Sequence, residues 1–272
     1  MQNKLSIITI NRNNAEGLQK TIKSVVNQTY NDYEYIIVDG ASTDSSLEII
    51  QHFNTSVKKQ IVWISESDSS VYQAMNKGIR MSKGEYLLFL NSGDFLVSDN
   101  VLNDIFSNSY FGDILCGSCN ISEGGKVVHV TNPPKVITFS TLYNVGLAHQ
   151  ATFIRRNLFD RFGFYDESFI YNADIEFWNR CIILGEVTTE KLNVIVSDYN
   201  LDGISSTQNK SDEYKEEINR IFHNSYFQKF TPDYDTWNFE RKEMDVFYWV
   251  KSKKILYKPL LWLYYLVRIA RK

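Results

Sequence analysis

Four short apolar runs set the frame of this chain: Leu5–Ile10, Tyr35–Val38, Ile61–Ile64 and Tyr86–Leu90. Each is predominantly apolar rather than alternating, the first interrupted only by Ser6 and Thr9, and too short for a buried helix. Each therefore reads as a strand covered on both faces. Helical patterns separate them. Ala15–Gln28 carries Leu18, Ile22, Val25 and Val26 on one face, a second helix runs from Ser45 to about Phe53, and a third spans Val71–Met81. Strands alternating with helices build a parallel sheet with right-handed crossovers, so the fold class is α/β.

The ends of these runs are chemically alike. The second leads into Asp39-Gly40-Ala41-Ser42-Thr43-Asp44, the third into Ser65-Glu66-Ser67-Asp68, and the fourth into Asn91-Ser92-Gly93-Asp94. In a parallel sheet such ends share the edge where ligands of open α/β sheets bind. Asp39, Glu66, Asp68 and Asp94, with no Lys or Arg interleaved, would repel one another. Something cationic or hydrogen-bonding is expected between them. A single Asp at such a corner can merely cap the next helix; several along one edge favour a site.

What is absent narrows the chemistry. No G-x-G-x-x-G follows the first strand and no P-loop motif occurs, which disfavours a dinucleotide dehydrogenase and a P-loop NTPase. A diphosphate held without those cradles needs a divalent cation, Mn2+ or Mg2+. Such hard ions take carboxylate, phosphate and water oxygens, and Asp94 fits that role. Net charge is only −3, against the basic footprint of a nucleic-acid binder. Cys116, Cys119 and Cys181 show no metal-type pairing. The N-terminus enters a strand directly, and no apolar run reaches the ~18 residues needed to span a bilayer. A cytoplasmic protein is expected.

After about Asp113 the pattern changes. Strand-like Ile114–Ile121 and Val127–Thr131 flank the hairpin signal Glu123-Gly124-Gly125. A strand at Ala151–Ile154, a helix near Phe177–Leu184, a strand at Val187–Val196 and a helical stretch near Asp212–Phe230 follow.

Several stretches resemble a known family: Ser6-Ile7-Ile8-Thr9-Ile10-Asn11-Arg12-Asn13, Ser24–Tyr30, Val38–Asp44, Ser65–Asp68 with Ala74-Met75-Asn76-Lys77-Gly78, Leu90–Asp94, and His149-Gln150. Their order and spacing are similar to those of family 2 inverting glycosyltransferases, in the branch that assembles bacterial polysaccharides. The resemblance spans roughly residues 3–205. It implies the GT-A fold, a Rossmann-like nucleotide-binding sheet (1–113) fused to an acceptor-binding half (114–205), with a C-terminal helical extension (206–272). It implies nucleotide contacts from Thr9, Asn11, Asp39, Asp68, Ser92 and Gly93, with Ser42 and Asp44 fixing the turn. Lys77 is a candidate to neutralise phosphate; its alternative is a solvated helix lysine. The family's Asp-x-Asp metal motif is reduced here to Asp94 alone, with Gly93 before it. One carboxylate implies a metal bound mainly together with the diphosphate.

Inversion needs a base on the far side of the sugar to take the acceptor's hydroxyl proton. In Tyr171-Asn172-Ala173-Asp174-Ile175-Glu176-Phe177-Trp178-Asn179-Arg180 the family's acidic pair is split by Ile175. Asp174 at the helix start is favoured in its ionised form by the helix dipole, and is assigned as the base. Glu176, four residues before Arg180, suits a helix-surface ion pair or an acceptor contact. Trp178 stacks on a sugar or joins the core. His149 touches phosphate, completes the metal shell, lines the acceptor site, or is structural. Asp202-Gly203-Ile204-Ser205-Ser206 is a candidate loop over the diphosphate. The chain lacks the processive synthases' motif and membrane helices, so transfer of one sugar per encounter is expected, from a UDP-linked donor to a glycan or lipid-linked acceptor. The split pair keeps open an inactive sugar-nucleotide or glycan-binding protein of the same fold. A nucleotidyltransferase would want a Gly-rich basic loop that Asn11-Arg12-Asn13-Asn14 does not supply.

Residues 251–272 hold seven basic residues and no acid around Pro259-Leu260-Leu261-Trp262-Leu263-Tyr264-Tyr265-Leu266-Val267. That segment suits an anchor on an anionic inner leaflet, with a docked or dimer-interface helix as the alternative.

Overall fold

The computed structural model describes residues 4–57, 59–185, 187–201, 212–228, 231–253 and 257–263. The loop Asp202–Ser206 and much of the basic tail lie outside them. The chain forms two compact units, residues 1–221 and 222–272.

The first unit opens with β1 (Leu5–Asn11), α1 (Ala15–Val26), β2 (Tyr33–Asp39), α2 (Ser46–Ser56), β3 (Ile61–Ser65), α3 (Val71–Met81) and β4 (Tyr86–Phe89). These are the elements read from the apolar runs. β1 lies between β2 and β4 with all three parallel, Ile8 pairing with both Ile36 and Phe89. The register aligns the strand ends: Asn11 pairs with Asp39, and Asp39 with Ser65. Three polar corners thus meet because the hydrogen-bond ladder stops at one level. Gly78 lets α3 approach β1, since a Cβ there would sit 2.4 Å from the Ile8 side chain.

The chain then runs through β5 (Phe95–Leu96), α4 (Val101–Phe106), β6 (Ile114–Glu123), β7 (Lys126–Val130), α5 (Phe139–Asn144), β8 (Thr152–Arg155) and α6 (Asn157–Phe162). Next come α7 (Ala173–Trp178), which continues as a π-helical turn over Asn179–Ile183, β9 (Thr189–Asn200) and α8 (Asp212–Phe222). All nine described strands form one sheet in the order β3-β2-β1-β4-β8-β6-β9-β5, with β7 beside β6. β8 joins β4 antiparallel, and β5 joins β9 antiparallel on the far side, Phe95 opposite Asp198. The five-residue segment between β4 and β5 therefore links distant parts of the sheet. The strand core is apolar, with Leu5, Ile7, Ile37, Leu88 and Leu115 fully buried.

The second unit contains α9 (Thr231–Ser252), and residues 257–263 are helical. Among the described residues no helix is long and apolar enough to cross a membrane.

Candidate active site

A cleft of about 720 Å³ lies at the carboxyl edge of β1 and β4 and is lined by Asn11, Arg12, Asp68, Asn91, Ser92, Gly93, Asp94 and His149. It gathers about half of the candidate site residues singled out from sequence.

Asp39 sits behind the lining, fully buried. Its carboxylate accepts from Asn11 Nδ2 (2.8 Å), Ser42 N (2.9 Å), Ser42 Oγ (2.5 Å) and Ser65 Oγ (2.7 Å). A carboxylate only accepts, so the Asn11 amide must turn its nitrogen inward. Its Oδ1 is then left buried with no hydrogen-bond partner among the described residues. Thr9 does not line the cleft: it is fully buried and shares a 2.9 Å hydrogen bond with Tyr35 Oη. Thr9 shares the face of Asn11 on β1 but lies one step further from the strand end, inside the core. Ser42 and Asp44 fix the turn as read, Asp44 accepting from Ala15 N at 2.9 Å and Ser46 N at 3.0 Å. Two non-glycine residues with positive φ, Asn13 (51°) and Ala41 (54°), flank this corner; such strain gathers at ligand sites.

The acidic edge does carry a cation. Lys77 on α3 reaches Glu66 and Asp68, each at 2.7 Å. Burial works against its charge, but its bonds to the two carboxylates prevail and hold its pKa above the ordinary lysine value. The expected repulsion is therefore relieved by a residue from the next helix. Lys77 is bound to two carboxylates in this structure. Asp68 Oδ2 stays buried without a partner among the described residues.

Asn91-Ser92-Gly93-Asp94 is pinned to α1. Thr21 Oγ1 donates to the Asp94 carbonyl at 2.7 Å and accepts from Gly93 N at 3.0 Å. Asn14, the N-cap of α1, donates to the Ser92 carbonyl at 2.9 Å. Gly93 has φ +110°, where an L side chain is strained. The backbone thus explains why glycine and not an acid stands before Asp94. Asp94 is buried, and that burial pushes its pKa up to about 7. His149, the Asn91 backbone and Gln150 pull it down, while Asp198 on β9 adds to the rise. Among the described residues no group of three His, Cys, Asp or Glu side chains could hold a metal. The donor set still suits a hard cation that brings its own ligands: a buried acid in need of positive charge, beside Asn91 Oδ1, which is buried without a partner. Burial pushes the thiols of Cys116, Cys119 and Cys181 up to about 12, far from the thiolate a metal would require.

His149 joins this corner to α7. Its Nε2 is 3.4 Å from Asn91 Nδ2 and its Nδ1 is 3.5 Å from Asp174 Oδ2. Burial opposes the imidazolium, but the hydrogen bond and charge of Asp174, with the charge of Asp94, raise its pKa above the usual histidine value. Asp174 lies in the first turn of α7, 3.3 Å from Tyr72 Oη, and stands behind His149 rather than in the cleft wall. Glu176 takes Arg180 bidentately, Nε at 2.8 Å and Nη2 at 2.7 Å, as its spacing implied. Trp178 is fully buried and so belongs to the core, not to a sugar platform.

Residues 6–159 match the family model described as "Glycosyl transferase family 2". The chain belongs to glycosyl transferase family 2. Relatives named "PGL/p-HBAD biosynthesis glycosyltransferase" include one from Mycobacterium bovis, 31% identical over 211 residues, 74% of this chain and 79% of the relative. A Staphylococcus aureus poly(ribitol-phosphate) beta-N-acetylglucosaminyltransferase, TarP, is 34% identical over 131 residues, covering 46% of this chain and 39% of its own. Among solved structures, S. aureus TarS 1–349 in complex with UDP-GlcNAc aligns with a TM-score of 0.64 at 17% identity, over 81% of this chain and 67% of that one. A structure of TarS without that truncation is covered to only 44% of its length. The mannosyltransferase PcManGT from Pyrobaculum calidifontis, in complex with GDP-Man and Mn2+, aligns at TM-score 0.55 and 14% identity, over 73% of this chain and 57% of that one. The architecture is therefore GT-A, and this family 2 protein is a glycosyltransferase.

Thr21, Tyr72 and Asp198 were not singled out from sequence, and Asn14 and Gln150 only as members of longer stretches. Asn14, three residues before Gly17 and just ahead of an apolar-periodic helix, left a local signal, that of an N-cap.

Proposed function

We propose that the enzyme moves one sugar from a UDP-linked donor to a hydroxyl of a glycan or lipid-linked acceptor, with inversion, in bacterial surface polysaccharide synthesis. One observation carries the reading. Asn11 Oδ1, Asp68 Oδ2 and Asn91 Oδ1 are buried without partners among the described residues, and all three residues line one cleft. Buried polar groups are nearly always satisfied, so these await a ligand bearing N–H, O–H or cationic groups. A nucleotide sugar and its counter-ion supply them. Nucleotide-sugar complexes of TarS and PcManGT support the donor class.

Asn11 and Asp68 are assigned to the base and ribose, with Asp39 acting through Asn11. When bound, a divalent cation, Mn2+ or Mg2+, offsets the charge of the leaving diphosphate; Asp94, with Asn91 Oδ1, is the set to hold it. Asp174 is the general base. It accepts the acceptor hydroxyl's proton as that oxygen bonds to the anomeric carbon and the bond to the diphosphate breaks. Asp94→Asn and Asp174→Asn are each expected to abolish transfer, Asp174→Asn with nucleotide binding intact. Full activity of both with the true substrates refutes this assignment. A panel of nucleotide sugars tested by thermal shift with Mn2+ identifies the donor.

A second reading is favoured by the position of His149, which lines the cleft while Asp174 does not. Here His149 is the base and Asp174 orients it from Nδ1. His149→Gln then abolishes transfer as fully as Asp174→Asn does; partial activity in His149→Gln selects Asp174.

The tail is proposed to rest on an anionic membrane face. Leu260, Trp262 and Leu263 are 51%, 67% and 53% exposed, within a stretch of basic residues. Co-sedimentation with anionic liposomes, with and without residues 251–272, tests it; unchanged partitioning refutes it.

A further inference from the structure

We infer that Glu217, on α8, is a positioning residue for the catalytic step, a role that rests on the assignment of Asp174 as base. Glu217 lies beyond the matched residues 6–159 and is buried. Its carboxylate accepts hydrogen bonds from four donors of one short segment: Ile170 N at 2.5 Å, and Tyr171 N, Asn172 N and Asn172 Nδ2, each at 3.0 Å. That segment leads directly into α7, and Asp174 follows within its first turn.

A helix start is ordinarily organised by its own N-cap side chain. Asn172 occupies that position but makes no side-chain cap bond. Its amide is committed to Glu217 instead. The start of α7 is thus fixed from a distance, by an acid 45 residues further along the chain. The opposite side of the same segment is held from α3, where Tyr72 Oη donates to the Tyr171 carbonyl at 2.6 Å and lies 3.3 Å from Asp174 Oδ1. Glu217 grips the N–H side and Tyr72 the C=O side, which leaves the base little freedom of place.

Charge-assisted bonds from a carboxylate to backbone N–H groups are the strong ones. A shift of about 1 Å in a catalytic group costs on the order of 10²-fold in rate. Its hydrogen-bond partners among the described residues, Ile170, Tyr171 and Asn172, do not line the cleft, so its effect is expected on turnover and not on donor affinity.

The test compares Glu217→Gln, Glu217→Asp and Asp174→Asn in the full chain, reading kcat, KM for donor and acceptor, and UDP affinity with Mn2+ by calorimetry. Glu217→Gln keeps the side-chain shape but presents an N–H₂ to N–H donors. It is expected to lower kcat about 10- to 100-fold with UDP affinity within twofold of wild type. Glu217→Asp, which keeps the charge, recovers part of that loss. The inference is overturned if Glu217→Gln keeps kcat within twofold. It is also overturned if both Glu217 variants lose UDP binding in proportion to transfer, as a purely structural role requires. Wild-type activity in Asp174→Asn would instead remove the base assignment itself.

Discussion

Replacing Asp39 by Asn probes how the nucleotide corner is wired. Asp39 accepts four hydrogen bonds between 2.5 and 2.9 Å and never reaches the cleft. Asn at 39 keeps one acceptor oxygen and gains an N–H₂. The least disruptive arrangement keeps that oxygen on Ser42 N and Ser65 Oγ and turns the new N–H₂ toward Asn11. Two facing N–H₂ groups cannot bond, so the Asn11 amide must flip. Charged acceptors are worth roughly 1.5–3 kcal/mol per bond against 0.5–1.5 for neutral ones. Relief of the buried charge offsets part of the difference, so the net loss is about 1–3 kcal/mol. For a domain of this size that lowers Tm by several degrees. The larger consequence lies in the cleft, where the flip replaces the Asn11 acceptor with a donor. UDP affinity is expected to fall about tenfold or more, as when a buried donor on the ligand loses its acceptor. Adding Asn11→Asp restores an acceptor on both sides, so the Asn11→Asp, Asp39→Asn pair should bind UDP better than Asp39→Asn alone. Urea unfolding and UDP titration on the same samples give both numbers. Asp39→Asn with lowered stability but wild-type UDP affinity would refute the relay through Asn11.

Other consequences follow from single contacts. Gly78→Ala drives a Cβ to 2.4 Å from Ile8; overpacking of about 1–3 kcal/mol outweighs about 1 kcal/mol of helix propensity, so urea unfolding should show a net loss. Lys77→Met leaves Glu66 and Asp68 facing each other without their cation, and UDP affinity measured by calorimetry should fall and become more salt-dependent. Burial pushes the pKa of Glu85 up, but Lys4 and Arg155 prevail and hold it below the ordinary glutamate value. A depressed pKa stabilises the fold above the ordinary glutamate range, and that stability is lost as pH falls through the folded value. Glu85→Gln should therefore flatten the acid side of the stability–pH curve, read by urea unfolding between pH 3 and about 6.

The sequence displayed the parallel half clearly because strands buried on both faces are apolar along most of their length, and their acid-bearing ends mark one edge. Local pairs were equally visible: Glu176 and Arg180 meet because four residues make one helical turn. What stayed hidden depends on how elements turn against each other. Lys77 reaches Glu66 and Asp68 only because Gly78 lets α3 lie close on β1. Thr9, inside a stretch typical of the family, faces Tyr35 in the core. β5 has two residues, too few for any periodicity. Glu217 sits in the charged run Lys215-Glu216-Glu217, indistinguishable by composition from a solvated helix face.

The path of the chain through the sheet bears on attempts to exchange specificity between relatives. The first parallel strands end at β4, yet β5 crosses to the far edge and pairs with β9, while β8 returns to lie against β4. A chimera joined at residue 113 would separate β5 from its partner and take the Asp94 corner from the strand that anchors its exit. A transplanted C-terminal half has to carry Phe95–Leu96 with it, grafted between Asp94 and α4, or the recipient will accept the new half without a seated Asp94 corner.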